Sequence, residues 1–291
     1  MLSLADTGSV TGAALACHVT QPTVSMQLKE LADAAGLPLY EQIGKRLHLT
    51  AAGEALVSTA RAMVREWETF EQQLAAMKGL EQGKLKLSVA ITAKYFVPRM
   101  LGRFCQAHPH IDISLQVLNR DGVVGRLRSN LDDLYVLSMP PRDIPHEGRA
   151  LLQNPLVVVA PLGHPLALRT TLRWQQLQQV PFILREPGSG TRMAVDNHFA
   201  ALGLTPRVRL ELGSNEAIKQ AVAADMGVTV LSRHALAADP AGEGLAVLKV
   251  QRFPVQSSWF VLWPHGKRLS PLATEFLTHL EELAAHWEVH T

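Results

Sequence analysis

The sequence predicts an α/β fold preceded by a small helical unit and one long helix. Three observations carry this expectation. From residue 84 onward, short apolar runs alternate with helical patterns, which points to strands joined by helices and to largely parallel sheets. Residues 51–80 contain no proline, and no glycine between Gly53 and Gly79, and they carry an unbroken helical seam. Residues 1–50 split into short Ala- and Leu-rich patches separated by capping and turn residues. The chain has 291 residues, room for about two domains. An apolar fraction of 47 % against 19 % charged supplies ordinary globular cores, so general disorder is excluded.

In the N-terminal patch, residues 11–17 are small and apolar, suited to a tightly packed helix. Thr20 is an N-cap type, and Pro22 sits in the first turn, where a missing N–H costs little. A second helix runs to about Ala35, with Val24, Leu28 and Leu31 on one face, and Gly36 is placed to end it. Two short helices around a tight turn predict a helix-turn-helix. Residues 39–43 and 46–50 flank Gly44-Lys45 and predict a hairpin with a basic tip, a wing beside such a motif. Thr50 and Glu54 then open the long helix.

Along that helix Leu56, Ala60, Met63, Trp67, Phe70, Leu74 and Met77 follow one another at spacings of 4 and 3, a heptad seam. A surface helix packed on its own domain is the plainer reading. The length and the polar cover on the other faces favour a dimerisation helix built on Met63, Trp67, Phe70 and Leu74. The polar stretch 81–84 marks a domain boundary. Beyond it, strands are expected at 85–91, 111–117, 134–137, 156–160, 182–184, 208–212, 228–231 and 259–263. Helices are expected at 95–107, 191–202, 215–225 and 271–286.

Composition narrows the function classes. No apolar run reaches the ~18 residues of a membrane span, and Met1-Leu2-Ser3-Leu4-Ala5-Asp6 has neither the basic start nor the apolar stretch of a secretory signal. Cys17 and Cys105 make no disulfide framework and no CxxC pair, so a reducing cytoplasm is expected. Net charge is +2, while residues 1–60 hold three basic and five acidic residues. A general electrostatic grip on nucleic acid is therefore not visible there, and DNA binding has to rest on the motif.

Glu186-Pro187-Gly188-Ser189-Gly190-Thr191-Arg192, between a strand and a helix, is the strongest local chemical signal. Glycines expose backbone N–H groups, Ser, Thr and Arg add donors, and a helix N-terminus favours negative charge. The run predicts an anion cradle; a bare helix cap is the plainer alternative. It fits neither a Walker motif nor a nucleophile elbow. Thr92 and Ser214 stand at two further strand-to-helix junctions, and Ser138 ends a strand. In open α/β sheets such ends converge on a ligand cleft. Twelve histidines include no HExxH and no zinc-spaced cluster, so no metal or cofactor is expected. His108, His110, His279, His286 and His290 read as surface residues. No catalytic constellation is visible, so the chain does not read as an enzyme.

Ser9-Val10-Thr11-Gly12-Ala13-Ala14, the run from Thr20 to Leu31, Gly36-Leu37-Pro38-Leu39-Tyr40 and Leu49-Thr50-Ala51-Ala52-Gly53 resemble, in order and spacing, the winged helix-turn-helix of LysR-type transcriptional regulators. The long helix and the α/β remainder resemble that family's linker and effector domain over essentially the whole chain. Relative to the family the first helix is shorter by about a turn or two, and Gln42 stands where many members have Arg. Glu41-Gln42-Ile43-Gly44-Lys45-Arg46, Asn119-Arg120-Asp121-Gly122-Val123-Val124, the 185–192 loop, the stretch 213–221 and Leu231-Ser232-Arg233-His234 resemble the CbbR-like subgroup, which controls carbon-fixation operons, RuBisCO genes included. Sulfur- and nitrogen-responsive relatives share similar loops.

The resemblance implies a winged helix-turn-helix at 1–53, a linker and dimerisation helix at 54–82, and an effector domain at 84–291 that resembles periplasmic solute-binding domains. Its two Rossmann-like lobes would comprise 84–160 with 265–291, and 161–264, hinged near Ala160 and Pro264. It implies that Gln21, Pro22, Thr23, Ser25 and Gln27 face the major groove, that Thr20 caps the recognition helix, and that Lys29, Lys45 and Arg46 meet phosphates. Thr92, Ser138, Gly188, Ser189, Gly190, Thr191, Arg192 and Ser214 would hold a small anionic effector. The implied partners are double-stranded promoter DNA, RNA polymerase and further copies of the chain in a homodimer or homotetramer, with no membrane. The rival class, a small-molecule-binding protein with no DNA role, leaves residues 1–80 unexplained.

Overall fold

A computed structural model describes residues 1–43, 46–77 and 83–287. The chain divides into two compact units, Met1–Leu74 and Ala75–Thr291.

The first unit starts with α1 (Leu2–Thr7), α2 (Val10–Ala16) and α3 (Gln21–Ala35). Their ends follow from the sequence. The Ser9 hydroxyl accepts from the Gly12 N–H, the Thr20 hydroxyl accepts from the Thr23 N–H, and Gly36 closes α3 in the left-handed conformation. Leu4, Ala13, Ala14, Val24 and Leu28 form the small core beneath. The hairpin strands β1 (Tyr40–Ile43) and β2 (Arg46–Leu49) pair antiparallel as expected of a wing. Gly44, Lys45 and the Arg46 side chain lie outside the described residues.

The long helix, α4 (Ala51–Met77), begins three residues before the expected linker boundary. The first unit extends along it as far as Leu74, so linker and helix-turn-helix are one compact body. Thr50 holds the junction: its hydroxyl donates to the Pro38 carbonyl at 2.6 Å and accepts from the Gly53 N–H at 3.1 Å. Arg61 reaches back to Asp6 at 2.6 Å. The heptad seam splits into two parts. Leu56 and Ala60 are half-buried within the unit, while Met63, Trp67, Phe70 and Leu74 are exposed.

The second unit contains two five-stranded sheets. The first lobe orders its strands β4-β3-β5-β12-β6. These are β3 (Gly83–Ala90), β4 (Ile111–Leu118), β5 (Leu134–Ser138), β6 (His146–Gln153) and β12 (Ser258–Pro264), packed with α5 (Val97–Ala107), α6 (Arg120–Arg128) and α9 (Pro271–Ala285). The second lobe orders its strands β11-β7-β10-β8-β9. These are β7 (Leu156–Pro161), β8 (Pro181–Arg185), β9 (Arg207–Leu212), β10 (Val228–Ser232) and β11 (Leu245–Leu248), with α7 (Gly190–Ala201) and α8 (Asn215–Ala223). Apolar clusters cover the second sheet, one built on Phe182, Val195 and Phe199 and the other on Ile183, Ile218 and Val222. Among the described residues no helix is long and apolar enough to cross a membrane.

Four expectations are corrected. The sheets are mixed rather than largely parallel, because β12 runs antiparallel to β5 and β6, and β7 antiparallel to β10 and β11. Those pairings also move the lobe boundaries of 160 and 265: β7 belongs to the second lobe and β12 to the first. The chain therefore crosses at 154–155 and 256–257, where the Asn154 N–H donates to the Ser257 carbonyl at 2.9 Å, next to a mutual Leu156–Val255 pair. The helix expected from Tyr95 starts at Val97, after a 3-10 turn at Ile91–Tyr95. His108 and His279 are not solvated surface residues. Both rings pack against Phe104 at a tilt, and His279 Nε2 lies 3.1 Å from the Met100 carbonyl. Three elements escaped the sequence reading: α6, the edge strand β11 and β6, whose first half is exposed on both faces and so shows no alternation.

Candidate functional site

In the first unit, α3 buries Val24 and Leu28 and turns Gln21, Pro22, Ser25, Gln27 and Lys29 to solvent, with Thr23 half-buried. Thr20 is exposed at the N-cap, and its hydroxyl lies 2.7 Å from that of Thr23. Gln21 and Ser25 are one turn apart, so both polar side chains leave the helix on the same side. This is a solvent-facing helix with short hydrogen-bonding side chains at its N-terminal end, suited to base edges.

In the second unit, one pair of the expected cleft residues, Ser138 and Gly190, meets across the two lobes. Gly190, at the start of α7, lies against Ser138 at the end of β5; a Cβ built on Gly190 would stand 2.8 Å from Ser138 Oγ. A side chain at position 190 would force the Ser138 hydroxyl to turn away. The Asp121 N–H donates to the Gly188 carbonyl at 3.2 Å, which brings the N-terminus of α6 to the same loop. Ser138, Ser189 and Thr191 are buried. The Ser189 hydroxyl is committed to capping α7, while the first N–H groups of that helix have no acceptor within it. Thr92 is joined to the second lobe by Asn215, whose Nδ2 donates to Thr92 Oγ1 at 3.1 Å. Ser214 caps α8 and donates to Glu216 at 3.0 Å.

Arg192 departs from expectation. It is the third residue of α7, and its guanidinium binds Asp196, Glu211 and the Arg185 carbonyl, all in its own lobe. It adds no unpaired positive charge to the cleft. Two buried arginines do the positioning there instead. Arg185, ending β8, donates from Nε and Nη2 to both oxygens of Glu186 at 2.8 and 3.0 Å, and from Nη1 to Asn215 Oδ1 at 2.7 Å. It thereby orients the amide that reaches Thr92. Arg120 donates from Nε to the Met139 carbonyl at 2.7 Å. The one sequence signal for Arg185 was a cation closing an otherwise wholly apolar buried strand.

A second polar junction lies alongside. Lys94 Nζ donates to Glu216 at 3.0 Å and the Tyr95 hydroxyl donates to the same carboxylate at 2.5 Å, first lobe to second. Burial pushes the Glu216 carboxyl up, but hydrogen bonds from Tyr95, Lys94 and Ser214 outweigh it and hold the group down at about 2. Burial first, then the Glu216 hydrogen bond and charge, raise the Tyr95 phenol well above its usual range. Among the described residues no group of three His, Cys, Asp or Glu side chains converges to hold a metal.

Comparison with known proteins places these sites in a family context. Residues 1–54 match the family described as bacterial regulatory helix-turn-helix protein, lysR family, and residues 78–285 match the LysR substrate binding domain. A RuBisCO operon transcriptional regulator of Acidithiobacillus ferrooxidans is 46 % identical over 93 % of this chain and 88 % of its own length. The HTH-type transcriptional activator CmpR of Synechocystis is 45 % identical over 96 % of this chain and 91 % of its own. The regulatory domain of Synechocystis PCC6803 CcmR, solved in complex with 2-PG, is 46 % identical and superposes with a TM-score of 0.68, covering 70 % of this chain and 98 % of that one.

Proposed function

The chain belongs to the LysR family of transcriptional regulators, and from that premise we propose that α3 reads an operator in the major groove while the cleft between the lobes takes a small anion that modulates binding. The observation that carries the anion site is the meeting of Ser138 with Gly190 across the lobes, at the N-terminus of α7. Among the described residues the Thr191 hydroxyl makes no hydrogen bond and the first N–H groups of α7 have no acceptor within the helix, a set of donors that suits an anion. The 2-PG complex of the CcmR regulatory domain supports the same choice of ligand charge. The RuBisCO operon and CmpR relatives support carbon-fixation genes as targets.

Ligand contacts drawn from both lobes exist only when the lobes are together. Occupancy therefore biases closure, and through it the arrangement of the DNA-binding units. Promoter DNA, RNA polymerase and further copies of the chain are the partners of this reading, in a homodimer or homotetramer working in the cytoplasm without catalysis.

Thr191→Val keeps volume and removes one donor, so 2-PG binding should weaken by about 1–3 kcal/mol while operator affinity without 2-PG stays unchanged. Calorimetry on both proteins is the test; equal binding, or binding only of neutral compounds, sinks the anion site. At the DNA end, Gln21→Ala should remove about 1–3 kcal/mol of discrimination at one base pair. Lys45→Ala should weaken all sequences alike and flatten the salt dependence. A gel-shift series with base-substituted operators separates the two, and an unaltered sequence preference in Gln21→Ala would place the reading helix elsewhere.

A further inference from the structure

A second pocket of about 390 Å³ opens between the lobes, away from Ser138 and the 188–191 loop. The first lobe contributes Tyr95, Arg99 and Trp287; the second contributes Lys219, Arg233 and Glu243. Lys219 follows Glu216 by one turn on α8, and Arg99 stands in the first turn of α5, just beyond the 3-10 turn that ends at Tyr95. The Tyr95–Glu216 hydrogen bond that joins the lobes therefore borders a space into which each lobe places a cation just beyond it.

The charges in this space do not balance. Lys219 pairs with Glu243 at 2.6 Å. Among the described residues Arg233 donates to the carbonyls of Ala237 and Ala238, at 3.0 and 3.4 Å, and pairs with no carboxylate. Arg99 is exposed and makes no ion pair among the described residues. Among the described residues that line the pocket, three cations thus face one carboxylate, and two positive charges remain. His234 lines the same wall, packed on Phe96 with Nε2 against the Gln153 carbonyl; burial lowers its pKa, so it stays neutral at pH 7 and offers an apolar ring face beside Trp287.

We propose that this pocket is a second ligand site, for a small organic dianion, a dicarboxylate or a phosphate monoester, held between Arg99 of one lobe and Arg233 and Lys219 of the other. Two residual charges match a dianion, and the volume lies at the lower end of small-molecule sites. The Trp287 and His234 faces accommodate a carbon skeleton better than a bare inorganic ion. Because it spans both lobes, such a ligand favours their closure independently of the cleft at Gly190, and the two sites are coupled through that one equilibrium.

The test uses the full chain titrated calorimetrically with succinate, glycerol 3-phosphate and inorganic phosphate. Arg99→Gln should weaken the organic dianion about tenfold, the usual effect of losing one charge-assisted hydrogen bond. Glu243→Gln removes the competing carboxylate and should tighten binding several-fold, a direction that damage to the fold does not produce. Thr191→Val should leave this binding unchanged, which separates it from the cleft. Succinate alone binding assigns a dicarboxylate, and glycerol 3-phosphate alone assigns a phosphate monoester. Binding by inorganic phosphate as tight as by either, binding indifferent to both Arg99→Gln and Glu243→Gln, or no binding below ~10 mM would each overturn the proposal.

Discussion

Gly53→Ala should disable the DNA-binding unit. By helix propensity alone the change is favourable by at most about 1 kcal/mol, since Gly53 stands in the first turn of α4. Packing reverses the sign. A Cβ at this position would stand 1.8 Å from the Leu39 carbonyl oxygen and 2.9 Å from its carbon, backbone atoms that cannot swing aside like a side chain. The same carbonyl accepts the Thr50 N–H at 3.2 Å, and Thr50 in turn caps the Gly53 N–H. Relieving the overlap therefore moves the junction that joins hairpin to helix. Overpacking costs about 1–3 kcal/mol and loss of the cap about 1 more, together well above the propensity gain. A unit of this size has little stability to spare. The expected result is a fall of more than about 10 °C in the unfolding midpoint of the N-terminal unit, with operator binding lost in parallel. Unfolding at or above the wild-type temperature would show that the close approach to Leu39 is not maintained in solution.

Trp67→Glu combined with Leu74→Glu should convert the homo-oligomer of the proposed function into monomers or aggregates. Met63, Trp67, Phe70 and Leu74 are 69, 61, 46 and 37 % exposed in the single chain, and the Trp67 and Phe70 rings touch in a tilted pair, 5.6 Å between centroids. Four large apolar side chains in one helical stripe are more than a soluble surface normally leaves in water. Pairing two such helices removes them at roughly 25 cal/mol per Å² of apolar area, whereas a carboxylate at two seam positions places uncompensated charge in the same space. Operator affinity should fall far more than either single DNA contact would explain, since two tethered half-site contacts become one. Sedimentation or light scattering gives the mass directly, and an unchanged oligomer would remove the seam from consideration.

The legible part of the molecule is the part encoded by near neighbours. Thr20, Pro22 and Gly36 bound α3 because a cap, a first-turn proline and a left-handed terminus act within four residues of where they stand. The heptad spacing of α4 and the apolar cores of β5, β8 and β10 are likewise properties of short windows. Helix-turn-helix, wing, linker helix and the strand-helix alternation were therefore readable from the 291 residues alone.

What the sequence could not decide are the contacts between residues more than a hundred positions apart. Asn215 meets Thr92, and Glu216 meets Lys94 and Tyr95, only because two separately built sheets face each other. The strands β7 and β12 looked alike as apolar runs; their sheet membership depends on which unpaired edge each finds after the chain has crossed between lobes. Arg185 and Arg192 stand seven residues apart in one motif, yet the first is buried against Asn215 while the second turns to Asp196 and Glu211. That difference follows from which neighbouring strand and helix supply a partner. A guanidinium satisfies its donors wherever acceptors stand within reach, and the packed lobes, not the local pattern, set where those acceptors are.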